Sequence, residues 1–392
     1  MRHDPAIGPI WEFDDFGRPT EIVERDGLTY FVNEFWTARQ RQSSKLHEIS
    51  YRACFKAELP RFFIERLTAP DDLVHDPFMG RGTTPLEAAL LGRRAAGNDV
   101  NPLSAMLLQP RLDPPTLDEV AAKLAEIDLG ANAETDPDLS VFFHPKTLRQ
   151  IAALRAWLIG QGDRLDRAGR WIRMVALNRL TGHSSGFFSV YTLPPNQAVS
   201  VQSQRRINQQ RGQTPPERDV PGLILRKSRL MLRDRPPQFA GQTILTTGSA
   251  AKTPSLQTAS VALVVTSPPF LDIVDYAADN WLRCWFAGID PSSVAIDRHR
   301  TVAEWTAFVR RALAELARVV RPGGHIAFEV GEVRNGKVLL EKHVAEAALN
   351  LPLDPLGVLI NQQQFTKTAN VWGVGNNARG TNTNRICLFR RQ

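Results

Sequence analysis

The stretch LVHDPFMGRGTTPLEAALLGRRAAGNDV, residues 73–100, changes its pattern three times. LVHD at its start predicts a short strand, and RAAGNDV at 94–100 predicts a second one. Between them, TTPLEAALLG at 83–92 has a threonine at its start, a proline in its first turn and a glycine at its end, which is typical of a helix. A strand, a loop, a helix and another strand in this order predict a parallel α/β sheet.

The loop DPFMGRGTT follows the first strand, where α/β sheets bind cofactors. Gly80 and Gly82 allow a tight turn and a close approach to a ligand. Pro85 stands where a dinucleotide fingerprint needs its third glycine, and no phosphate-binding Gly-Lys-Ser/Thr follows. Asp99 can accept hydrogen bonds from ribose hydroxyls, and Asp76 from an ammonium group. The pattern favours a nucleoside without phosphates, such as S-adenosylmethionine; an ordinary tight turn is the alternative.

A second motif, VVTSPPF at 264–270, ends an apolar strand with two prolines and a ring. Prolines cannot donate to the ladder, so the strand must stop there. Ser267 and the stiffened Pro268 carbonyl can accept hydrogen bonds from an amine, and Phe270 offers a face on which a base can stack. A rigid turn with a buried ring is the structural alternative.

The two motifs together resemble those of the amino-methylating DNA methyltransferases, which act on exocyclic amines of adenine or cytosine. Residues 45–68 resemble the segment that completes the donor pocket of that family, and 372–389 resemble its closing hairpin. The resemblance covers roughly residues 41–110 and 241–392. It implies a Rossmann-like class I methyltransferase of the α/β class. Its mixed seven-stranded sheet would have helices on both faces and an antiparallel last strand.

The resemblance also implies the site residues, position by position. The donor would be bound by Asp76, Phe78, Gly80, Gly82, Thr83 and Asp99. The target base would be held by Ser267, Pro268, Pro269 and Phe270. Ser249 stands where the family usually has an acidic residue facing the adenine of the donor, and Phe270 replaces the commoner Tyr. Asp272, Asp275 and Tyr276 could line the base pocket or cap the helix that begins there.

Taken as a whole, the resemblance implies a sequence-specific, S-adenosylmethionine-dependent DNA methyltransferase. Serine at the first motif position tends to accompany N4-cytosine targets, so we expect cytosine N4. Adenine N6 is the alternative, and an RNA amine is a less favoured one. A DNA-binding module with a silent donor site is the non-enzyme alternative. A 5-methylcytosine enzyme is disfavoured, because none of Cys54, Cys284 and Cys387 follows a proline.

Positive charge is concentrated in the middle of the chain. Residues 141–240 hold 17 Lys and Arg against 5 Asp and Glu, whereas the whole chain has a net charge of +7. Such a segment indicates a polyanionic partner, although a solvated surface loop is the alternative. Arg and Lys can neutralise phosphates, and Gln, Asn and Arg can read base edges. The residues that we expect to contact DNA are Gln202, Gln204, Arg205, Arg206, Asn208 and Arg211, with Asn196, Gln197, Arg226, Lys227 and Arg229 as further candidates.

These patterns divide the chain into three parts. We expect an N-terminal extension at 1–40, a catalytic domain at 41–110 and 241–392, and a basic inserted target-recognition region at 111–240. The Gln- and Arg-rich stretch 194–222 within the insert has the composition of a mobile or ligand-ordered loop.

Composition excludes several other classes of protein. The chain of 392 residues is 43% hydrophobic and 23% charged, as in soluble globular proteins. It has no apolar run of about 18 residues, no secretory signal, no Cys/His cluster with zinc spacing and only three scattered cysteines. We therefore expect a cytoplasmic, nucleoid-associated protein that binds double-stranded DNA but no membrane and no metal. A restriction endonuclease partner is compatible with this interpretation; the oligomeric state is open.

Overall fold

The computed structural model describes residues 8–15, 17–36, 44–51, 54–192, 198–233, 243–269, 271, 276–294, 299–333, 338–362 and 384–392. Its strands are β1 (Glu21–Arg25), β2 (Leu28–Asn33), β3 (Leu73–Asp76), β4 (Arg94–Asp99), β5 (Ile244–Thr247), β6 (Val261–Thr266), β7 (Val320–Val330), β8 (Glu332–Val333), β9 (Val338–Leu339), β10 (Leu353–Asn361) and β11 (Asn384–Arg391). Its α-helices are α1 (Gly8–Trp11), α2 (Glu58–Leu67), α3 (Thr83–Leu90), α4 (Pro102–Leu112), α5 (Leu117–Glu126), α6 (Pro145–Gln161), α7 (Arg167–Arg179), α8 (Val201–Arg211), α9 (Val220–Met231), α10 (Tyr276–Ala287), α11 (Val302–Val319) and α12 (Leu340–Ala348).

One large mixed sheet organises the described residues. Its order is β1-β2-β10-β11-β7-β6-β3-β4-β5. The strands from β5 across to β7 pair in parallel, whereas β11 pairs antiparallel with both β7 and β10. The run from β5 to β10 therefore has the Rossmann-like arrangement with an antiparallel last strand that the resemblance implied.

The expected number of seven strands is wrong, because the sheet formed by the described residues has nine. The hairpin of β1 and β2 lies in the N-terminal segment, and β2 joins the sheet by pairing in parallel with β10. The sequence had predicted only an N-terminal extension at residues 1–40. Part of this segment is thus built into the edge of the sheet.

Helices cover both faces of the sheet. Every residue of β6 is buried, so this strand shows no alternation of polar and apolar residues, as expected for a parallel strand with two covered faces. On one face, α11 contributes Trp305 and Phe308 to a core that includes Val264. On the other face, α2 contributes Phe62 and Phe63.

The helices of the inserted region share a hydrophobic core with the rest of the molecule. Trp171 of α7 and Leu223 of α9 lie in the same cluster as Leu108 of α4 and Leu282 of α10. The sequence had suggested a mobile or ligand-ordered stretch at 194–222, but residues 201–211 form helix α8, with Ser200 as its N-cap. The described basic helices are therefore held in place relative to the sheet.

Two glycines let the loop after β3 lie close to its neighbours. Gly97 of β4 lies directly under Met79, whose sulfur would clash with any Cβ added there. Gly82 has a φ of +77° and forms the left-handed N-cap of α3. A Cβ on Gly82 would lie 2.7 Å from Cδ2 of Leu108. The loop therefore requires glycine both for its backbone conformation and for its close contact with α4.

We predict that Gly82→Ala destabilises the protein more than Gly92→Ala. Gly92 has a similar φ of +73°, but no atom lies within 4 Å of the Cβ that it would gain. Both substitutions carry the left-handed penalty of about 1–2 kcal/mol, and Gly82→Ala adds about 1–3 kcal/mol of overpacking against Leu108. Urea denaturation measures both variants; equal midpoints would show that the contact with Leu108 relaxes at no cost.

Candidate functional site

A cleft opens at the carboxyl ends of β3, β4 and β6. The volume of the cleft, including the part that is open to solvent, is about 800 Å³. Both sequence motifs contribute to its wall, which is lined by Tyr51, Cys54, Phe55, Asp76, Pro77, Phe78, Met79, Gly80, Thr83, Asp99, Val100, Asn101, Gly248, Ala250, Ser267 and Pro269. Of the described residues predicted for the donor and base site, Gly82 and Pro268 are the two that do not line the cleft. Gly82 instead packs under the loop against Leu108.

Asp99 holds the glycine loop in its conformation. Its Oδ2 accepts a hydrogen bond from the backbone N–H of Gly80 at 2.9 Å, and its Oδ1 accepts one from Asn101 at 2.9 Å. The backbone N–H of Met79 donates to the carbonyl of Asn98, which ties the loop to β4. Burial raises the pKa of Asp99. The carboxylate that was predicted to meet a ribose thus also fixes the backbone of the loop beside it.

Asp76 connects the two motifs directly. Its Oδ1 accepts a hydrogen bond from Thr266 Oγ1 at 2.6 Å, across 190 residues of sequence, and another from the backbone N–H of Phe78 at 3.1 Å. The side chain is 1% exposed. Burial raises the pKa of Asp76 to about 7, against the lowering effect of these hydrogen bonds. The last residue of β6 and the last residue of β3 are therefore joined at the cleft.

Two further contacts fix the Ser267-Pro268-Pro269 segment from neighbouring elements. Thr84 Oγ1 donates to the Val265 carbonyl at 2.9 Å, just before the segment. Trp305 Nε1 donates to the Pro269 carbonyl at 2.9 Å, and its ring is fully buried in α11. Glu329 of β7 follows Phe328, which pairs with Thr266, so Glu329 lies on the strand next to Ser267. The catalytic segment proposed from the sequence is thus held just before its start and at its end.

Glu329 is a site residue that the sequence reasoning missed. It is 9% exposed, and its Oε1 accepts a hydrogen bond from Asn384 Nδ2 at 2.6 Å. Burial raises the pKa of Glu329 to about 7; the nearby Ser267 hydroxyl opposes this shift, and the nearby Asp76 carboxylate adds to it. A lone glutamate near the end of the otherwise apolar strand HIAFEV was the signal available in the sequence.

Residues 44–51 and 54–57 form the side of the cleft opposite the sheet. Arg81 donates from Nη1 to the Ile49 carbonyl at 2.9 Å and from Nη2 to the Phe55 carbonyl at 3.0 Å. Arg111 is fully buried and donates to the carbonyls of Leu46, Leu107 and Arg81. Burial lowers the pKa of Arg111 to about 9. Two arginines in backbone-directed hydrogen bonds therefore attach this segment to the glycine loop and α4.

The wall beside β5 has no acidic side chain among the described lining residues. Gly248 and Ala250 line the cleft there, and the backbone N–H of Gly248 donates to the Asp99 carbonyl. Between them, Ser249 Oγ accepts from the backbone N–H of Ala251 at 3.2 Å. Ser249, which stands where the resembled family usually has an acidic residue, thus stabilises its own turn.

The residues predicted to contact DNA fall into two groups on α8. Gln202, Arg205, Arg206 and Arg211 are exposed, although Arg211 lies over the ring of Tyr191 at 3.9 Å.

Gln204 and Asn208 have a structural role instead. Gln204 is fully buried and donates to the Tyr191 carbonyl at 3.0 Å. Asn208 donates to the Val141 carbonyl at 2.7 Å and accepts from Gln204 and Gln213. These two amides therefore bind the protein backbone here, and the expectation that they read bases does not fit this conformation.

Several predicted residues lie outside the described part of the chain. They are Asn196, Gln197, Phe270, Asp272, Asp275 and the hairpin residues 372–383, and the side chain of Tyr276 is also outside it. Within the described residues, no group of three or more His, Cys, Asp and Glu side chains could hold a metal ion. None of the helices in those ranges is long and apolar enough to cross a membrane.

The N-terminal quarter of the chain is similar to DNA methylases. Residues 10–105 match the family model N6_N4_Mtase, which is described as a DNA methylase. A stretch of 94 residues is 32% identical to the Type II methyltransferase M.BsoBI of Geobacillus stearothermophilus. That stretch is 24% of this chain and spans only 17% of the length of the relative.

The solved structures to which this chain is similar share little sequence with it. A SAM-dependent methyltransferase from Methanosarcina mazei is 10% identical with a TM-score of 0.36; the alignment covers 84% of this chain and 96% of that one. A protein from Thermus thermophilus, described as a candidate DNA modification methylase and solved with S-adenosyl-L-methionine, is 22% identical with a TM-score of 0.21. That match covers 35% of this chain and 50% of the other. The fold assignment rests on the order and direction of the strands.

We predict that Asp76→Asn stabilises the ligand-free protein at pH 8 and that this gain shrinks toward pH 5. The pKa of Asp76 is raised in the folded state, so its contribution to stability is present at low pH and is lost as the pH rises through about 7. Asparagine keeps the acceptor for Thr266 but carries no charge. Thermal unfolding between pH 5 and pH 8 measures the difference.

The exposed Asp290→Asn variant serves as the control for this measurement and should leave the pH dependence of unfolding unchanged over the same range. If Asp76→Asn is less stable than the native protein at pH 8, the carboxylate is not disfavoured by its burial.

Proposed function

We propose that this chain, whose residues 10–105 match the model of a DNA methylase family, transfers a methyl group from S-adenosylmethionine to an exocyclic amine in DNA. The observation that carries the proposal is the joining of the two motifs in one cleft. Asp76 and Ser267, far apart in sequence, both line it, and Thr266 contacts Asp76 beside them. The family match ends before Ser267, so the role of that motif is argued from its geometry.

The cleft fits the cofactor of this family. S-adenosylmethionine has a cationic ammonium group and a ribose with two hydroxyls, and it supplies an electrophilic methyl group on sulfur. Asp76 places a buried carboxylate where it can accept from the ammonium group. Asp99 lies at the end of β4, where a carboxylate can accept from ribose hydroxyls. Phe78 and Gly80, with their apolar surface and exposed backbone, complete the proposed donor site.

Ser267 and the Pro268 carbonyl activate the amine in this proposal. An exocyclic amine is a poor nucleophile, because its lone pair is delocalised into the ring of the base. Two acceptors that bind its hydrogens draw the nitrogen out of the plane, and the methyl group then moves by direct in-line displacement. The hydrogen bonds from Thr84 and Trp305 hold the segment in place, so its acceptors need little reorganisation during the reaction.

We propose cytosine N4 as the target, because serine occupies the first motif position. Adenine N6 is the second candidate. Incubation with labelled donor and unmethylated DNA, followed by digestion to nucleosides and mass analysis, separates the two. N4-methylcytosine supports the proposal, N6-methyladenine replaces the target base, and a product found only with RNA changes the substrate. A protein that binds DNA but neither binds nor uses the donor would be a binding module.

We predict that Ser267→Ala lowers turnover about 100-fold or more, with donor affinity within a few-fold of the native value. The variant loses one acceptor that is needed during methyl transfer, while Asp76 and Asp99 remain. Single-turnover methylation and calorimetric titration with S-adenosylmethionine measure the two effects.

Ser260→Ala is the matched control for this experiment. Ser260 lies just before the opposite end of β6 and donates to the Gln257 carbonyl on the surface. Its turnover should be unchanged. If Ser267→Ala turns over at the native rate, the hydroxyl has no part in the reaction.

We further propose that the exposed face of α8 binds the phosphates of double-stranded DNA. Arg205 and Arg206 are adjacent and exposed on this helix, and the only ion pair described for either is the contact of Arg205 with Asp138 at 3.8 Å. The helix packs through Gln204 and Asn208 against the protein. Its orientation is therefore set before DNA arrives. The division into a catalytic domain and an inserted target-recognition region accords with this role.

We predict that the double variant Arg205→Ala/Arg206→Ala reduces the salt dependence of DNA binding. Each lost phosphate contact should lower the slope of log K against log salt by about 0.9. Fluorescence anisotropy at several salt concentrations measures the slope. Arg164→Ala, an exposed arginine elsewhere in the insert, is the control. An unchanged slope in the double variant would exclude these arginines from the DNA interface.

A further inference from the structure

Strand β1 is the last strand of the sheet that the described residues form, and its side chains are exposed. All five of its residues are open to solvent. Ile22 is 57% and Val23 is 37% exposed, and they are two of the four large apolar side chains exposed within the described ranges. A strand edge with free backbone groups can accept a further strand. The backbone pattern and the charges of β1 limit which strand fits.

The turn after β1 determines which of its backbone groups face outward. Asp26 and Gly27 form a two-residue turn with φ values of +53° and +76°, as a type I′ hairpin requires. In such a hairpin Arg25 and the residue across the turn exchange both hydrogen bonds, and bonded pairs then alternate with non-bonded pairs along the strands. The N–H and C=O groups of Ile22 and Glu24 therefore point away from β2, toward the free edge.

We propose that this edge binds a second copy of the chain, whose β1 pairs antiparallel with it about Val23. In this register Ile22 of one copy lies opposite Glu24 of the other, and the two residues exchange both of their backbone hydrogen bonds. The same exchange forms on the other side of the two-fold axis. Val23 lies on the axis, beside the same residue of the second copy.

The charges along β1 favour this register. Glu21, Val23 and Arg25 share one face of the strand, and pairing about Val23 places Glu21 of each copy opposite Arg25 of the other. Opposite charges directly across an antiparallel pair stabilise it, and like charges destabilise it. Moving the axis to Glu24 would bring two glutamates together, and moving it to Ile22 would take Arg25 away from Glu21. A parallel pair in register would place each charge beside its own copy.

The existing contacts of β1 are compatible with this pairing. Arg25 lies 3.6 Å from Asp26 in an exposed ion pair, and Glu24 accepts a hydrogen bond from Thr29 Oγ1 at 2.7 Å. A guanidinium has five N–H donors, so Arg25 can keep its contact with Asp26 while it pairs with Glu21 of the second copy. Charges on an edge strand normally discourage pairing with unrelated strands. Here they match those of a second copy.

The pairing leaves the cleft open. Strands β2, β10, β11 and β7 separate β1 from β6, so the contact between copies does not depend on the proposed methyl transfer. Two strands of five residues bury a small area, and small interfaces are typical of weak complexes. We therefore expect a reversible dimer with a Kd of about 1–100 µM.

A disulfide tests the register. Val23→Cys puts one thiol of each copy on the axis, in a non-hydrogen-bonded pair whose Cα atoms lie about 4.5 Å apart, within reach of a disulfide. Ile22→Cys is the matched control, since Ile22 is the more exposed neighbour but would lie about 7–8 Å or more from its own copy. After mild oxidation of the full chain without DNA, a non-reducing gel should show about tenfold more linked dimer for Val23→Cys.

A charge exchange tests the contribution of the ion pairs. Sedimentation equilibrium from about 1 to about 200 µM should show the native dimer, and Arg25→Glu should weaken it about tenfold, because both ion pairs become repulsive. The double variant Glu21→Arg/Arg25→Glu exchanges the charges and should return the Kd to within a few-fold of the native value. Lys146→Glu makes the same change of charge at an exposed position of α6 and should leave the Kd unchanged.

Thermal unfolding checks that each variant folds, and three outcomes would overturn the inference. A native protein that stays monomeric over the whole concentration range has no such contact. Equal linkage through Ile22→Cys and Val23→Cys would exclude the register about Val23. A dimer that Arg25→Glu does not weaken would form through another surface.

Discussion

The hydrogen bond from Thr266 to Asp76 is the contact on which the arrangement of the cleft depends. It joins the ends of two adjacent parallel strands, one from each sequence motif. Parallel strands bring their carboxyl ends to the same edge of a sheet, which is why residues 190 apart in sequence meet there. The glycine loop, the serine-proline segment and α3 all take their positions from this edge.

Two arginines and one shared hydrophobic core connect the cleft to the rest of the described residues. Arg81 and Arg111 attach the segment around Tyr51 to the glycine loop through its backbone carbonyls. The helices of the insert pack with α4, which follows the strand that ends in Asp99. Within the described residues, the exposed face of α8 and the cleft therefore belong to one packed structure. A ligand that binds α8 would contact a surface whose position relative to the cleft is already fixed.

Negative charge is concentrated in the cleft of a chain that is basic as a whole. Burial raises the pKa of both Asp76 and Glu329; the charge of Asp76 adds to the rise at Glu329, and that of Asp99 adds to the rise at Asp76. In such a site, several ionised carboxylates repel one another when no cation is bound, and a bound cation stabilises their ionised forms. It thus suits a cationic donor electrostatically, apart from any shape complementarity.

The sequence alone determined the elements and the motifs. The strand and the helix on either side of Gly80 were predicted, because turn residues and apolar periodicity are local signals. The fold class came from the resemblance, and the strand order agrees with it. Only the tertiary structure decided that Gln204 is buried, that Glu329 lies on the strand next to Ser267 and that β2 extends the sheet. Each of these depends on which distant strand or helix lies alongside, and a one-dimensional pattern does not carry that information.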